Sequence, residues 1–547
     1  MPARRVMVSS ILASLGGCAP SPLPPDFGGQ ALWTAIDLDA AIDLGEPTGP
    51  VPAIDQRPAG PLTLVDVSAA AGLAQVVSGG NTHGVGLAFT DLDGDSFADI
   101  VVINGRGNVT GEQFGSRLLR NRGDGSFEDA TASSGLGAAL QGRDGYSVAA
   151  GDLDGDGAID LYVGAQPTDV LLLGRGDGTF VDETAARGAG GPPSDPSLVG
   201  NGKSKVVSLG DLDDDGDLDI VSASSTLPFP GAYLLRNDGD GRFTDITEDS
   251  GVRIHPAGNP CAVMWSDYDN DGDRDLWIWN DRGGKVLLRN DGGQLSDVTS
   301  AAGLDAVSIG NPMGIDGADI DHDGDLDYYV SNIGNNPLLR NNGDGTFVDI
   351  TRLAGTGGQY GWGLAFEDFD ADGWADIFVA QEDDRPELLF HSRGEDEPAF
   401  DAIEVPHPPV IDGRAAHNVA AAFADYDHDG RTDVLTARTD GSRITLYRNE
   451  TELGTNGTLE VVVAPPPELV PAGGVGARVA VMTTAGDDEL MQFRDVTAGS
   501  SRASNNALTV RFGLGQFRGA DWVAVLWPSG RQTVLRNVGA GQRLRVE

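Results

Sequence analysis

Cysteine is nearly missing from this chain. Cys18 and Cys261 are the two in 547 residues, too few for a disulfide framework. Histidine is sparse, with seven in all, and no spacing pairs one with a serine as nucleophilic catalysis needs. A nucleophile elbow, a His-Glu-x-x-His helix and a phosphate-cradling glycine loop are missing too, which argues against the common hydrolase and nucleotide chemistries. Positive charge is short: 37 Lys+Arg face 83 Asp+Glu, a net charge of −46. Such a surface repels phosphate, so nucleic acid and anionic membrane surfaces are excluded as partners. No hydrophobic run reaches the length of a membrane span.

Glycine is abundant instead. Its 78 residues suit many tight turns, and the 40% of hydrophobic residues fall in short regular runs, as in a folded β protein. The N-terminus reads as an address. Arg4 and Arg5 precede the apolar stretch Val6 to Leu15, and Leu15-Gly16-Gly17-Cys18 follows. This predicts a signal peptide over residues 1–17. It also resembles the bacterial lipoprotein box, which implies a lipidated Cys18. The expected location is therefore across the inner membrane, lipid-anchored in a bacterial envelope (periplasm, outer membrane or cell surface), with membrane contact through the anchor only. Residues 18–61 are rich in Pro and Gly and read as a tether, with a short helix expected over Ala31 to Leu44. Cys261 lies in an apolar strand and reads as an inert core residue.

From residue 62 to 455 the chain repeats. The motif Asp-x-Asp-x-Asp-x-x-x-Asp occurs seven times. Its copies are Asp91-Asp93-Asp95-Asp99, Asp152-Asp154-Asp156-Asp160, Asp211-Asp213-Asp215-Asp219 and Asp267-Asp269-Asp271-Asp275. Three more follow: Asp319-Asp321-Asp323-Asp327, Asp368-Asp370-Asp372-Asp376 and Asp425-Asp427-Asp429-Asp433. The spacings are 61, 59, 56, 52, 49 and 57 residues, a period that suits a four-stranded propeller blade. Three alternate carboxylates converge when the chain curls, and a fourth at position nine closes the site. Oxygen ligands alone suit Ca²⁺, giving about seven structural ions. An EF-hand is excluded, because position twelve is Val102, Val163, Ser222, Ile278, Val330, Val379 or Thr436 where that motif needs Glu. His and Cys are not consistently present in the loops, which argues against zinc and copper, and His322 and His428 fall at a non-ligand position.

A hairpin signature alternates with the loops, as in Leu118-Leu119-Arg120-Asn121, Gly123-Asp124-Gly125 and Phe127 to Thr131. Its sixth copy, Leu388 to Val405, is degenerate, and its seventh has only the first half, Leu446 to Asn449. The missing half stands before the first loop, at Leu64-Val65-Asp66-Val67-Ser68. The offset predicts an all-β, seven-bladed β-propeller closed by its N-terminal strand, with no free sheet edge. Residues 456–547 alternate apolar and polar and read as a separate small β-domain.

The repeats resemble the FG-GAP/VCBS repeats of integrin-like propellers. Gly474-Val475-Gly476-Ala477-Arg478-Val479, Phe512-Gly513-Leu514-Gly515 and Trp527-Pro528-Ser529-Gly530 resemble the ASPIC/UnbV domain. Together they resemble the cartilage acidic protein family and its bacterial relatives. That resemblance implies calcium-binding extracellular propellers acting as adhesion or interaction modules, with a protein or glycan partner. The family often has His before Phe-Gly-Leu-Gly, where this chain has Arg511, and Gly499 to Asn506 also departs from its pattern. The alternative is an extracellular hydrolase with its site on one propeller face. Eight residues before each loop stand His83, Asp144, Lys203, Asn259, Asn311, Tyr360 and His417, all polar. They should ring one channel mouth, with His83, Lys203, Tyr360 and His417 as candidate ligand-binding residues. The metal loops should lie toward the other end of the same strands.

Overall fold

The computed structural model describes residues 36–44, 59–79, 85–105, 115–192, 205–224, 231–252, 259–281, 284–358, 360–382, 385–395, 397–406, 418–438, 440–464, 474–485, 488–501 and 503–547. Strands dominate, in keeping with the all-β class. Among the described residues each of the seven repeats contributes four antiparallel strands; six of these sets are four-stranded sheets, and the first carries Ser504–Asn505 as a fifth, parallel strand. Their innermost strands are Val85–Thr90, Asp144–Gly151, Lys205–Gly210, Asn259–Ser266, Pro312–Ala318, Gly361–Glu367 and Asn418–Ala424. Each packs against the next, and the seventh packs against the first, so the sheets form a closed ring.

The seventh sheet shows how the ring closes. Leu64–Asp66 is its outermost strand and pairs antiparallel with Thr445–Asn449, placing Leu64 opposite Asn449 and Asp66 opposite Tyr447. Val67 N–H adds a bond to the Leu446 carbonyl at 2.9 Å. The N-terminal strand thus satisfies an edge that would otherwise stand open.

Apolar side chains from neighbouring sheets fill the spaces between them. Trp277, Trp279 and Tyr328 pack together there, with the two indoles stacked at 6.0 Å. Cys261 is 1% exposed and packs in the core of the first and seventh sheets.

The C-terminal residues form a sheet of four strands from this domain and another of three, and both pack closely on the propeller. Val461, Val479, Phe512 and Leu514 share one buried core with Ala149, Leu153, Leu209 and Leu218 of the second and third blades. The alternating strands present one face to the propeller, so burying that face joins the two. Part of residues 18–61 also meets the C-terminal domain. Ile42–Asp43 pairs parallel with Gln532–Gly539, and Ile36 packs on Ala524 and Val534. Among the described residues of the expected helix, Leu38–Ala40 is one 3₁₀ turn, because the edge of the C-terminal sheet recruits the chain as a strand.

The segment 498–507 of the C-terminal domain enters the propeller channel. Ser504 and Asn505 pair with Leu87 and Ala88 of the first inner strand. Asn505 Oδ1 accepts from Ala150 N–H at 3.0 Å, and the Ala498 carbonyl accepts from Leu209 N–H at 3.0 Å. Ser501 N–H donates to the Ile315 carbonyl, Leu364 N–H donates to Ser501 Oγ, and Ala507 N–H donates to the Phe423 carbonyl. Six of the seven inner strands therefore have channel-facing backbone groups bonded to one loop. The bonds fall between the middle of each strand and the end that leads into the aspartate loop.

Candidate metal centres

Every aspartate loop joins an innermost strand to the second strand of its blade. Its ninth residue opens that second strand, as Asp99 opens Asp99–Asn104 and Asp376 opens Asp376–Gln381. The loop is wound by its own carboxylates. Gly94 and Ser96 N–H donate to Asp91 at 2.8 Å, and Phe97 N–H donates to Asp95 at 2.9 Å. The ninth carboxylate locks loop to blade: Asp99 accepts from Leu92 N–H at 3.1 Å and from Asn121 N–H on the third strand at 2.8 Å. The same pair of bonds recurs at Asp160, Asp219, Asp275, Asp327, Asp376 and Asp433.

Position four is left-handed in every loop, although it is glycine only at Gly94 and Gly155. Asp214, Asn270, His322, Ala371 and His428 all hold positive φ there. Such backbone costs on the order of 1 kcal/mol per residue and persists where the surroundings dictate it. Here it turns the carboxylates of positions one, three and five inward.

The resulting clusters are dense. In the first loop Asp91, Asp93 and Asp99 each bring an oxygen within 4.8 Å of the others, and so do Asp152, Asp154 and Asp160 in the second. Asp211, Asp213 and Asp215 do the same, as do Asp267, Asp269 and Asp271. Burial pushes Asp99 up to about 8 and Asp152 and Asp211 to about 7, with neighbouring aspartates adding to the rise. The third position is the most telling. Oδ1 of Asp154, Asp269, Asp321, Asp370 and Asp427 is buried and has no hydrogen-bond partner among the described residues. A buried carboxylate oxygen without a donor is costly unless it meets a cation. These donor sets are all oxygen, apart from one histidine taken up below, and they fit a hard divalent ion.

Three features were not legible in the sequence. The asparagine ending the third strand clasps neighbouring blades: Asn341 Nδ2 donates to the Tyr268 carbonyl in the preceding blade's loop at 2.8 Å. Asn121, Asn237, Asn290 and Asn449 reach Tyr426, Leu153, Leu212 and Phe369 in the same way. The repeated Arg-Asn pair signalled a role, but its partner lies a whole repeat away. The two loop histidines also join blades. His322 packs at a tilt on Trp374 and His428 stacks on Phe97, each with 4.1 Å between ring centres. Lastly, Lys205 and Asp169 form a fully buried ion pair at 2.6 Å between the second and third blades, with Tyr162, Ser222 and Tyr233 also bonded to the carboxylate.

The C-terminal domain packs on several of the loops. Arg478 is 2% exposed and lies between Asp495 and the fourth loop. It donates to Asp495 at 2.6 Å and to the Asp267 carbonyl at 3.2 Å. Burial raises Asp495, but Arg274 and Arg478 outweigh it and hold the carboxyl below its usual range. Arg511, which stands where the family often has His, bonds Glu460 at 3.1 Å and adds its charge beside Asp425. Gly513 abuts the sixth loop so closely that a Cβ there would lie 1.9 Å from Asp368 Oδ2.

Of the expected ring, His83, Lys203 and His417 lie outside the described residues. Tyr360 is 38% exposed with the Arg385 guanidinium 4.2 Å from its ring centre. Asp144 and Asn259 begin inner strands and Asn311 directly precedes one, all at the end away from the aspartate loops. Cys18 also lies outside the described residues.

Repeated four-stranded blades in a ring, each with an acidic loop on one face, define a propeller-type repeat protein. The FG-GAP-like repeat model matches residues 91–163, 152–222, 211–278, 267–330 and 319–379, and the ASPIC and UnbV model matches residues 471–547. The repeat matches span more than half of the chain, which belongs to the FG-GAP-like repeat family and carries an ASPIC/UnbV domain. The chain is similar to cartilage acidic protein 1 of Xenopus tropicalis, 24% identical over 494 residues, covering 84% of this chain and 72% of that one. It is also similar to the human protein of that name, 28% identical over 221 residues, covering 39% of this chain and 31% of the human one. Among solved structures, YCF48 from Cyanidioschyzon merolae aligns over 67% of this chain and 96% of its own, with TM-score 0.39 and 12% identity.

Proposed function

We propose that this chain is an extracytoplasmic calcium-binding propeller that serves as a ligand- or protein-binding module. The observation that carries the calcium reading is the set of orphaned oxygens at Asp154, Asp269, Asp321, Asp370 and Asp427. Each lies in a loop wound so that two or three more carboxylates face it. Like charges this close repel strongly, and a divalent ion with six to eight oxygen ligands relieves that repulsion. The C-terminal domain packs on the fourth, sixth and seventh loops through Arg478, Gly513 and Arg511, which supports a structural role for their ions. The same domain's loop fills the channel on that side, through Ser501 and Asn505. Recognition then belongs to the opposite mouth, where Tyr360 is exposed, and a protein or glycan fits its mixture of aromatic and polar groups.

Calorimetric titration of metal-stripped protein tests the calcium reading. Uptake of several Ca²⁺ per chain is expected. No uptake at about 1 mM Ca²⁺ removes the basis of the reading. Capture from envelope extracts by the Tyr360→Ala variant tests the mouth, and undiminished capture moves the ligand site elsewhere. Metabolic labelling with a fatty acid tests the anchor: Cys18→Ala should abolish incorporation.

A further inference from the structure

The sixth loop differs from the other six in the third-strand residue that faces the aspartate at loop position three. In five blades that residue is an arginine on the third strand: Arg120, Arg236, Arg289, Arg340 or Arg448. Arg120 shows the geometry, with Nε 2.9 Å from Asp93 Oδ2. In the second blade Leu173 takes the position, and Arg187 approaches Asp154 at 3.5 Å. A guanidinium has no lone pair to offer and repels a cation. In the sixth blade the position is His391, whose Nε2 lies 3.2 Å from Asp370 Oδ2. Asp370, Asp372 and His391 each bring a donor atom within 4.8 Å of the others.

Asp370 is 5% exposed, and its other oxygen, Oδ1, is buried without a hydrogen-bond partner among the described residues. The loop is also clamped from outside. Asn456 Nδ2 donates to the Asp370 carbonyl at 2.9 Å, and Gly515 N–H donates to the Ala371 carbonyl at 2.9 Å. These contacts fix the backbone on which two of the donors stand.

We propose that the sixth loop is a transition-metal site, in which Asp370, Asp372 and His391 hold a divalent ion of the zinc and cobalt class. The proposal rests on the reading that these loops bind cations, and it assigns one loop a different ion. Imidazole nitrogen is a borderline ligand that zinc and cobalt favour and calcium does not. A mixed nitrogen and carboxylate set at fixed separations matches the zinc-class preference for few, close ligands. The other loops, lined by oxygen and faced by arginine in most blades, take the larger hard ion.

The experiment uses the full chain, stripped of metal and held in excess Ca²⁺, with Co²⁺ as the probe followed by visible absorption. One Co²⁺ per chain is expected in the native protein and none in His391→Arg, which restores the residue of the other blades and so should fold. His391→Gln, which adds no charge, should also bind none. The remaining histidines are unchanged in both variants, so adventitious surface binding would persist in them. Equal Co²⁺ binding by all three proteins overturns the proposal. Loss in His391→Arg alone also overturns it, because the added charge and not the lost imidazole would then be responsible. Terbium luminescence on the same samples separates the two readings. Terbium uptake with His391-independent Co²⁺ sinks only the sixth-loop assignment, whereas His391-dependent Co²⁺ without terbium uptake supports it and sinks only the calcium reading.

Discussion

Removing divalent ions should make this protein depend on pH in an unusual direction. Asp99 is 1% exposed, and burial lifts its carboxyl from 3.8 to about 8. The folded state therefore holds this proton more tightly than the unfolded chain does. Its contribution to stability is complete below the unfolded value and is lost as pH rises through about 8. Between pH 5 and pH 7 the loss from one such group is at most about 2.7 kcal/mol, at 1.36 kcal/mol per unit. Calcium at about 100 times its Kd stabilises a site by roughly 2.7 kcal/mol, so the ion offsets the deprotonation. Asp152 and Asp211, lifted to about 7, add to the effect in their own loops. The assay is thermal unfolding of resin-stripped protein at both pH values, with and without about 1 mM Ca²⁺. The stripped protein should melt lower at pH 7 than at pH 5, and Ca²⁺ should raise the melting temperature far more at pH 7. A calcium shift of equal size at both pH values, or a stripped protein more stable at pH 7, refutes the reasoning.

Asn341→Ala should cost about 2–3 kcal/mol in urea unfolding, because it leaves the buried Tyr268 carbonyl without its 2.8 Å donor and Gly343 N–H without an acceptor. Native-like stability would mean that the clasp does not hold blades together. Deleting residues 62–66 should expose the edge of Thr445–Asn449 and produce aggregates in light scattering. A monodisperse deletion would show that ring closure does not need this strand. Gly513→Val should push the C-terminal strand off Asp368 and Ala371, and limited proteolysis should then cut the domain junction faster than in the native chain. Unchanged cleavage would count against tight docking on the sixth loop.

The repeat motif made most of this architecture legible. Seven aspartate loops at nearly constant spacing, with a half-hairpin displaced to the front, leave few ways to satisfy every sheet edge, and Leu64–Asp66 closes the ring as that offset implies. The acidic candidates were legible too, because Asp at alternate positions in a glycine-bearing turn converges through local geometry alone. His391 was not, since it lies in the degenerate sixth hairpin and faces Asp370 only once the third strand has folded back beside the loop. The sequence also offered Gly499 to Asn506 merely as a departure from its family's pattern.

By itself, then, the order of residues determined what short range controls: the turns, the strand alternation, the loop carboxylates and the number of repeats. Tertiary structure alone decided which distant groups meet. Asn505 enters the channel because inner strands have unpaired backbone groups there, and Arg478 reaches Asp267 because two β-domains bury a common apolar face. Those contacts depend on the ring's curvature and on how one domain settles against another. No periodicity in a linear chain encodes them, because each partner satisfies its local rules equally well without the other.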